Sequence, residues 1–298
     1  MSAGFGARLA AATADHGPLC VGIDPHPGLL ADWGLPDDAS GLREFGLRVV
    51  EAVGGRVAAV KPQSAFFERH GSRGVAALEE VLAAARAAGT LTIVDAKRGD
   101  IGSTMAAYAD AYLRDGSPLA ADALTVSPYL GFGSLQPAVD AALETGRGLF
   151  VLCLTSNPEG AEVQHARRGA GAGVESVAAH VAREAAHVNA PVVAAGDALG
   201  PVGLVVGATI ADAAARTGTD LAAVRGPLLA PGVGAQGAGA AELAAVFGDA
   251  RRRREHLADL AWLAAHEAGA DFVLVNPLHA AEPRTPLTPS PYLPTSRR

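Results

Sequence analysis

The sequence predicts a single α/β domain folded as a (β/α)₈ barrel, and three observations carry that expectation. Short, apolar, β-rich runs recur eight times along the chain, each closing on a polar, Gly or Pro cluster where a turn begins. Ala-, Leu- and Glu-rich stretches with helical spacing lie between them, so strand and helix alternate. The chemically loaded residues sit at the C-terminal ends of the runs, where a parallel barrel gathers its loops. An open, doubly wound sheet is the alternative.

Met1–His16 has helical spacing through Phe5, Leu9 and Ala12 and is expected to close the barrel bottom. The strand candidates are Leu19–Asp24, Val57–Pro62, Leu91–Lys97 and Ala123–Pro128, followed by Gly148–Thr155, Gly203–Thr209, Pro227–Gly232 and Phe272–Pro277. Their near-continuous apolar character is that of parallel strands buried on both faces. Among the intervening helices, Val75–Ala88 sets Leu78, Val81, Leu82 and Ala85 on one face. Gly169–Gly173, in the long connection after the fifth strand, reads as a mobile loop. Residues 1–279 are therefore assigned to the barrel, and residues 280–298, with five prolines, to a frayed tail.

A chain of 298 residues, 49% hydrophobic and 18% charged, is long enough for one large core. Its formal charge of −7 and pI near 5.7 argue against a nucleic-acid or membrane surface, which needs a net basic face. The Arg251–Arg254 run reads as a solvated helix face. Cys20 and Cys153 stand inside apolar runs and read as small buried hydrophobes, not as a disulfide or metal framework. No charged-then-apolar leader opens the chain, and no apolar run approaches the roughly 20 residues of a membrane span. A soluble protein of the reducing cytoplasm is expected.

Asp95, Lys97 and Asp100 leave the end of the third strand together. On a strand, Asp95 and Lys97 lie two positions apart and share a face, which in a barrel points inward. A carboxylate and an ammonium taken out of water cost several kcal/mol each unless paired, so stability alone does not explain them. The first strand ends in Asp24 and the second in Lys61, which allows a Lys–Asp–Lys–Asp array whose alternating signs keep each member ionised. Such an array suits loss of carbon dioxide from a substrate carboxylate beside Asp95 or Asp100, with Lys97 protonating the carbanion left behind. A structural ion-pair network is the competing explanation. After the seventh strand, Pro231–Gly239 contains Gly234, Gln236 and Gly237, a loop whose backbone N–H groups and Gln amide suit a phosphate, or which is simply a flexible turn. After the fifth strand, Thr155–Gly160 offers Thr155 and Ser156 to the edge of a polar ring, or caps a turn.

The run Asp95-Ala96-Lys97-Arg98-Gly99-Asp100-Ile101-Gly102-Ser103-Thr104 resembles the Asp-x-Lys-x-x-Asp-Ile-x-x-Thr signature of the orotidine 5′-phosphate decarboxylase family. Cys20–Pro27, Val60–Gln63, Ser127–Gly133, Thr155–Gly160, Val206–Thr209 and Pro231–Gly237 resemble its longer, actinobacterial-type (type 2) branch in order and spacing, so the likeness covers about residues 4–240. The central signature alone is shared with sugar-phosphate enzymes of the same barrel superfamily. The resemblance implies decarboxylation of orotidine 5′-phosphate to UMP in pyrimidine biosynthesis, without metal or organic cofactor, in a homodimer with sites at the interface. It implies Lys97 as proton donor and Asp95 as the carboxylate pressed near the substrate carboxylate, with Lys61 and Asp24 facing the ribose. It further implies that Asp100 and Thr104 reach the neighbouring subunit's site, that Thr155 or Ser156 contacts the pyrimidine, and that Gln236 with the loop glycines grips the phosphate.

One position departs from the family pattern. Where an Arg usually follows the eighth strand to clamp the phosphate, the aligned residue is His279, with Arg284 nearby, and the C-terminal helix is replaced by the Pro-rich tail. His has one donor when neutral and titrates near neutrality, so losing a charge-assisted pair is expected to cost about 1.5–3 kcal/mol unless another group substitutes. That departure keeps two alternatives open: a barrel relative acting on another phosphorylated sugar or nucleotide with a divalent metal, and a paralogue that binds a nucleotide without turnover.

Overall fold

The computed structural model describes residues 3–233, 238–247 and 272–275. β1 (Leu19–Ile23), β2 (Ala59–Pro62), β3 (Leu91–Arg98), β4 (Ala123–Val126) and β5 (Gly148–Leu154) stand side by side in sequence order. β6 (Arg167–Arg168) and β7 (Glu175–Ser176) pair with each other outside the barrel, and β8 (Val202–Val206), β9 (Leu228–Pro231) and β10 (Phe272–Val275) complete the ring back to β1. All eight expected barrel strands are present, and closure of the sheet excludes the open, doubly wound alternative.

One expectation is corrected. β10, read from the sequence as the eighth parallel strand, pairs antiparallel with both neighbours, Val273 standing opposite Ala230 of β9 and Leu19 of β1. The other seven barrel strands pair in parallel. Closure demands partners for the edge N–H and C=O groups of β1 and β9, and a ladder of either direction supplies them.

α1 (Phe5–His16) precedes the barrel, and α2 (Pro27–Asp32), α3 (Ala39–Val53), α4 (Ser64–Glu68), α5 (Gly71–Ala87), α6 (Gly102–Leu113) and α7 (Gln136–Thr145) connect its first five strands. α8 (Gly160–Gln164), α9 (Val177–Ala194), α10 (Ala213–Thr217) and α11 (Ala240–Phe247) follow. Asp38 caps α3 through the backbone N–H groups of Ser40 and Gly41, and Ser176 caps α9 through that of Ala179. Among the described residues no helix is long and apolar enough to cross a membrane.

Strand alternation divides the core in two. Cys20, Ala59, Ile93, Ala123, Phe150, Val205 and Leu229, one from each parallel strand, pack with Phe5 and Leu9 of α1 in a single cluster. The intervening positions, such as Val21, Val60, Val94 and Leu124, join the larger cluster shared with the outer helices. α1 plugs the barrel as its spacing predicts: Phe5 is fully buried and meets Phe150 edge to face, ring centroids 6.0 Å apart. Gly148 makes room for that ring, since a Cβ there would lie 2.1 Å from it. Arg8 adds an ion pair with Asp122.

Gly169–Gly173, read from the sequence as a loop, forms the turn of the β6–β7 hairpin, with Arg168 opposite Glu175. Gly169 and Gly171 supply left-handed φ values of 94° and 59°. Arg168 and Arg183 both hold Glu175, at 2.8 and 2.9 Å, ion pairing that the composition of the Gly-Ala run does not announce. The Arg251–Arg254 run and the boundary between the barrel and the residue 280–298 tail lie outside the described residues.

Candidate active site

The site is the next inward layer above the apolar plug. Two residues beyond Ala59 on β2 stands Lys61, two beyond Ile93 on β3 stands Asp95, and two beyond Ala123 on β4 stands Thr125. Ile93 pairs with Ala123 across the ladder, so Asp95 and Thr125 arrive as neighbours. Lys61 Nζ lies 2.9 Å from Asp95 Oδ2 and 3.8 Å from Asp24 Oδ1, while Lys97 Nζ lies 2.7 Å from Asp95 Oδ1. The four predicted charges therefore form one chain of alternating sign, Asp24–Lys61–Asp95–Lys97, rising from fully buried Lys61 to Lys97, whose side chain is 45% exposed.

Simple alternation does not account for Lys97. β3 and β4 are in register at Val94 and Leu124 and again at Arg98 and Val126, so Asp95, Ala96 and Lys97 bulge opposite the single residue Thr125. Lys97 takes φ 48°, a left-handed conformation that costs a non-Gly residue on the order of 1–3 kcal/mol and persists where surrounding contacts impose it. The Thr125 hydroxyl accepts the Lys97 backbone N–H at 2.9 Å and donates to Asp95 Oδ1 at 2.7 Å. The next residue, Arg98, pairs with Glu68 and bonds the Tyr112 hydroxyl at 3.1 Å, which anchors the far side of the bulge.

Electrostatics hold the buried members ionised. Burial is the largest influence on Lys61 and lowers its pKa, but Asp95 and Asp24 together outweigh it and leave the ammonium raised above its ordinary value. Burial pushes the Asp95 carboxyl up, and Lys61 with Lys97 pulls it down further, to about 2. Beneath them, burial drives the Cys20 thiol up to about 12, so it remains a neutral packing group, as does Cys153, also at about 12. Both cysteines are free and buried, as the sequence reading expects.

These residues open on a cavity of about 1130 Å³ at the C-terminal mouth of the barrel, lined by Asp24, Asp95, Lys97 and Ser156 among others. Thr155 also reaches it, but its hydroxyl is spent on the turn, donating to Asn157 Oδ1 at 2.7 Å and accepting from Gln164 Nε2 at 2.6 Å. Ser156 is exposed toward the cavity. Asp100 and Thr104 do not line it. Asp100 Oδ1 accepts the Ile101 N–H at 2.8 Å just before α6, and Thr104 is exposed on the first turns of that helix. Gly234, Gln236, Gly237 and His279 lie outside the described residues.

Sequence reasoning assigns no role to three further residues here. Gln63 accepts from Lys61 Nζ at 3.1 Å and donates to the Asp95 carbonyl at 3.1 Å, tying β2 to β3. Its spacing of two from Lys61 was the available signal. Thr125 was marked only by being the one hydroxyl in an otherwise apolar β4. His26, two residues beyond Asp24, packs on Phe66 of α4 with ring centroids 4.2 Å apart, a contact between residues forty positions apart that no local pattern announces.

Residues 17–255 match the profile of the orotidine 5′-phosphate decarboxylase / HUMPS family. An orotidine 5′-phosphate decarboxylase of Salinispora arenicola is 60% identical over 278 residues, covering 91% of this chain and 96% of its own. One of Streptomyces coelicolor is 61% identical over 249 residues, covering 83% and 85%. A crystal structure from Streptomyces avermitilis, described with the same enzyme name, superposes with a TM-score of 0.77 at 62% identity, covering 84% of each chain. Shared barrel, shared signature and identity sustained over most of both lengths give one conclusion: the chain belongs to the orotidine 5′-phosphate decarboxylase family.

Proposed function

We propose that this chain is an orotidine 5′-phosphate decarboxylase of pyrimidine biosynthesis in which Lys97 is the proton donor. The activity is that of the family and of the relatives about 60% identical to it. The observation that carries the assignment of roles is the Asp24–Lys61–Asp95–Lys97 chain at the barrel mouth. Asp95, held ionised, faces the substrate carboxylate and destabilises it. The bond from C6 to the carboxylate breaks, carbon dioxide leaves, and the electron pair stays at C6 beside the Lys97 ammonium. Lys97 gives its proton to C6, and its partial exposure lets solvent restore that proton. Lys61 stays charged and fixes Asp95 from the other side. Because the array is already oriented before substrate arrives, little reorganisation is needed during the reaction.

Asp24 supplies a buried oxygen for a ribose hydroxyl, and Ser156 reads the pyrimidine edge, since the Thr155 hydroxyl is engaged elsewhere. Gln236, Gly234, Gly237 and His279 form the phosphate grip by sequence position, and binding energy gathered at that remote group holds the ring in the field of the array. The active species is a cytoplasmic homodimer. Ile101, Tyr129 and Leu130 are 62%, 76% and 54% exposed on the loops after β3 and β4, an apolar face beside Asp100 and Thr104 that suits a second copy presenting both residues to its neighbour's site.

The test follows the ultraviolet absorbance of orotidine 5′-phosphate with purified protein in a chelator, beside Lys97→Ala. Conversion by the wild type and a loss of at least about a hundredfold in the variant are expected. No conversion by folded wild-type protein would overturn the reading and favour a nucleotide binder.

A further inference from the structure

Thr125 is 1% exposed, and its hydroxyl stands between the two groups closest to the chemistry. The Lys97 backbone N–H can only donate, so the oxygen 2.9 Å away accepts it, and the Thr125 proton is directed to Asp95 Oδ1 at 2.7 Å. A regular ladder would spend that N–H on a β4 carbonyl. Here a side chain takes it, opposite a bulge of three residues, and Lys97 is left at φ 48°. The same Asp95 oxygen receives Lys97 Nζ at 2.7 Å, so one hydroxyl touches both ends of the Lys97 residue's path, its backbone directly and its ammonium through Asp95.

We propose that Thr125 is a positioning residue for decarboxylation: its hydroxyl holds the Lys97 backbone in the bulge and the Asp95 carboxylate in line, which fixes the ammonium over the reacting carbon. This rests on the decarboxylase reading above. Val has the shape of Thr but neither donor nor acceptor. In Thr125→Val the Lys97 N–H loses its acceptor, the left-handed backbone loses what imposes it, and the ammonium departs from its productive position. Ser restores the hydroxyl without the methyl group.

Steady-state kinetics with orotidine 5′-phosphate and hydrogen exchange of the Lys97 amide, on wild type, Thr125→Val and Thr125→Ser, decide the matter. The Val variant is expected to lose about tenfold to a hundredfold in kcat, the range a small misplacement of a reacting group commands. Its KM is expected to stay within about twofold, because substrate contacts remain. The Ser variant keeps most of the rate, and the Lys97 amide exchanges faster in the Val variant alone. Unchanged kcat in the Val variant, equal losses in Val and Ser, or a loss carried by KM would overturn the proposal. If the Val variant does not fold, Thr125→Ala stands in the same comparison. If the wild type itself is inactive, the decarboxylase reading has failed separately, and equal amide exchange in Val and Ser then overturns the positioning role as well.

Discussion

Asp24 Oδ1 lies 3.8 Å from Lys61 Nζ, buried, and holds no hydrogen bond. The pair is close enough for attraction and too far for a bond, which leaves a desolvated acceptor at the mouth of the cavity. Asp24→Ala is expected to weaken UMP binding by about 1.5–3 kcal/mol, the worth of a hydrogen bond to a charged group, and to lower the urea midpoint as well, since buried Lys61 then loses one of the two carboxylates that hold it ionised. Calorimetric titration with UMP checks this; unchanged affinity would remove Asp24 from the ribose site.

Lys61 weighs more on stability. It is fully buried with Asp95 at 2.9 Å, and Lys61→Met leaves the buried Asp95 carboxylate to partly exposed Lys97 and the Thr125 hydroxyl. A loss of about 3 kcal/mol is expected in urea unfolding, and adding Asp95→Asn should return part of it, because the buried charge that has lost its buried partner is gone.

The pH dependence of stability follows from Asp95. Its folded pKa is depressed from 3.8 to about 2, so its contribution is fully present above the ordinary value and is lost as pH falls toward the folded one. Lys61, raised, contributes below its ordinary value of 10.5 and loses that contribution as pH climbs through its folded pKa. Unfolding midpoints measured across the acid range should fall more steeply in wild type than in Asp95→Asn; parallel curves would contradict the assignment.

The barrel floor can be weakened without touching the mouth. Phe5→Ala empties the space beside Phe150 and is expected to cost about 3–5 kcal/mol. Gly148→Ala should also destabilise, since its Cβ would meet the Phe5 ring. Denaturant midpoints read both, and kcat measured well below the transition should be close to wild type.

The proposed sharing of sites between subunits predicts complementation. Lys97→Ala and Asp100→Ala proteins, each impaired alone, should regain activity when mixed and allowed to exchange subunits, because one of the two hybrid sites is then intact. Persistent inactivity with demonstrated exchange would place Asp100 outside the neighbour's site.

Much of this was written locally. The strand positions were legible because parallel strands buried on both faces leave apolar runs that no surface segment imitates, and α1 was legible as a plug from Phe5 and Leu9. Asp24, Lys61, Asp95 and Lys97 stood out because ionised groups at the ends of such runs are costly to bury unless paired. The hairpin at Gly169–Gly173 was not legible, since a run of Gly and Ala carries no strand pattern and the ion pairs beside it join Glu175 to Arg168 across the turn and to Arg183 on the next helix.

The sequence by itself determined the strand and helix order, the inward layer that carries the charges, and the family, because these follow from periodicity and from residue type at fixed spacing. Only the tertiary structure decided that β10 closes the barrel antiparallel, that Lys97 reaches Asp95 through a bulge at φ 48°, and that Thr125 and Gln63 hold the array together. Those outcomes depend on which backbone groups meet across neighbouring strands, and hydrogen-bond partners separated by about thirty residues leave no mark in the local pattern of either segment.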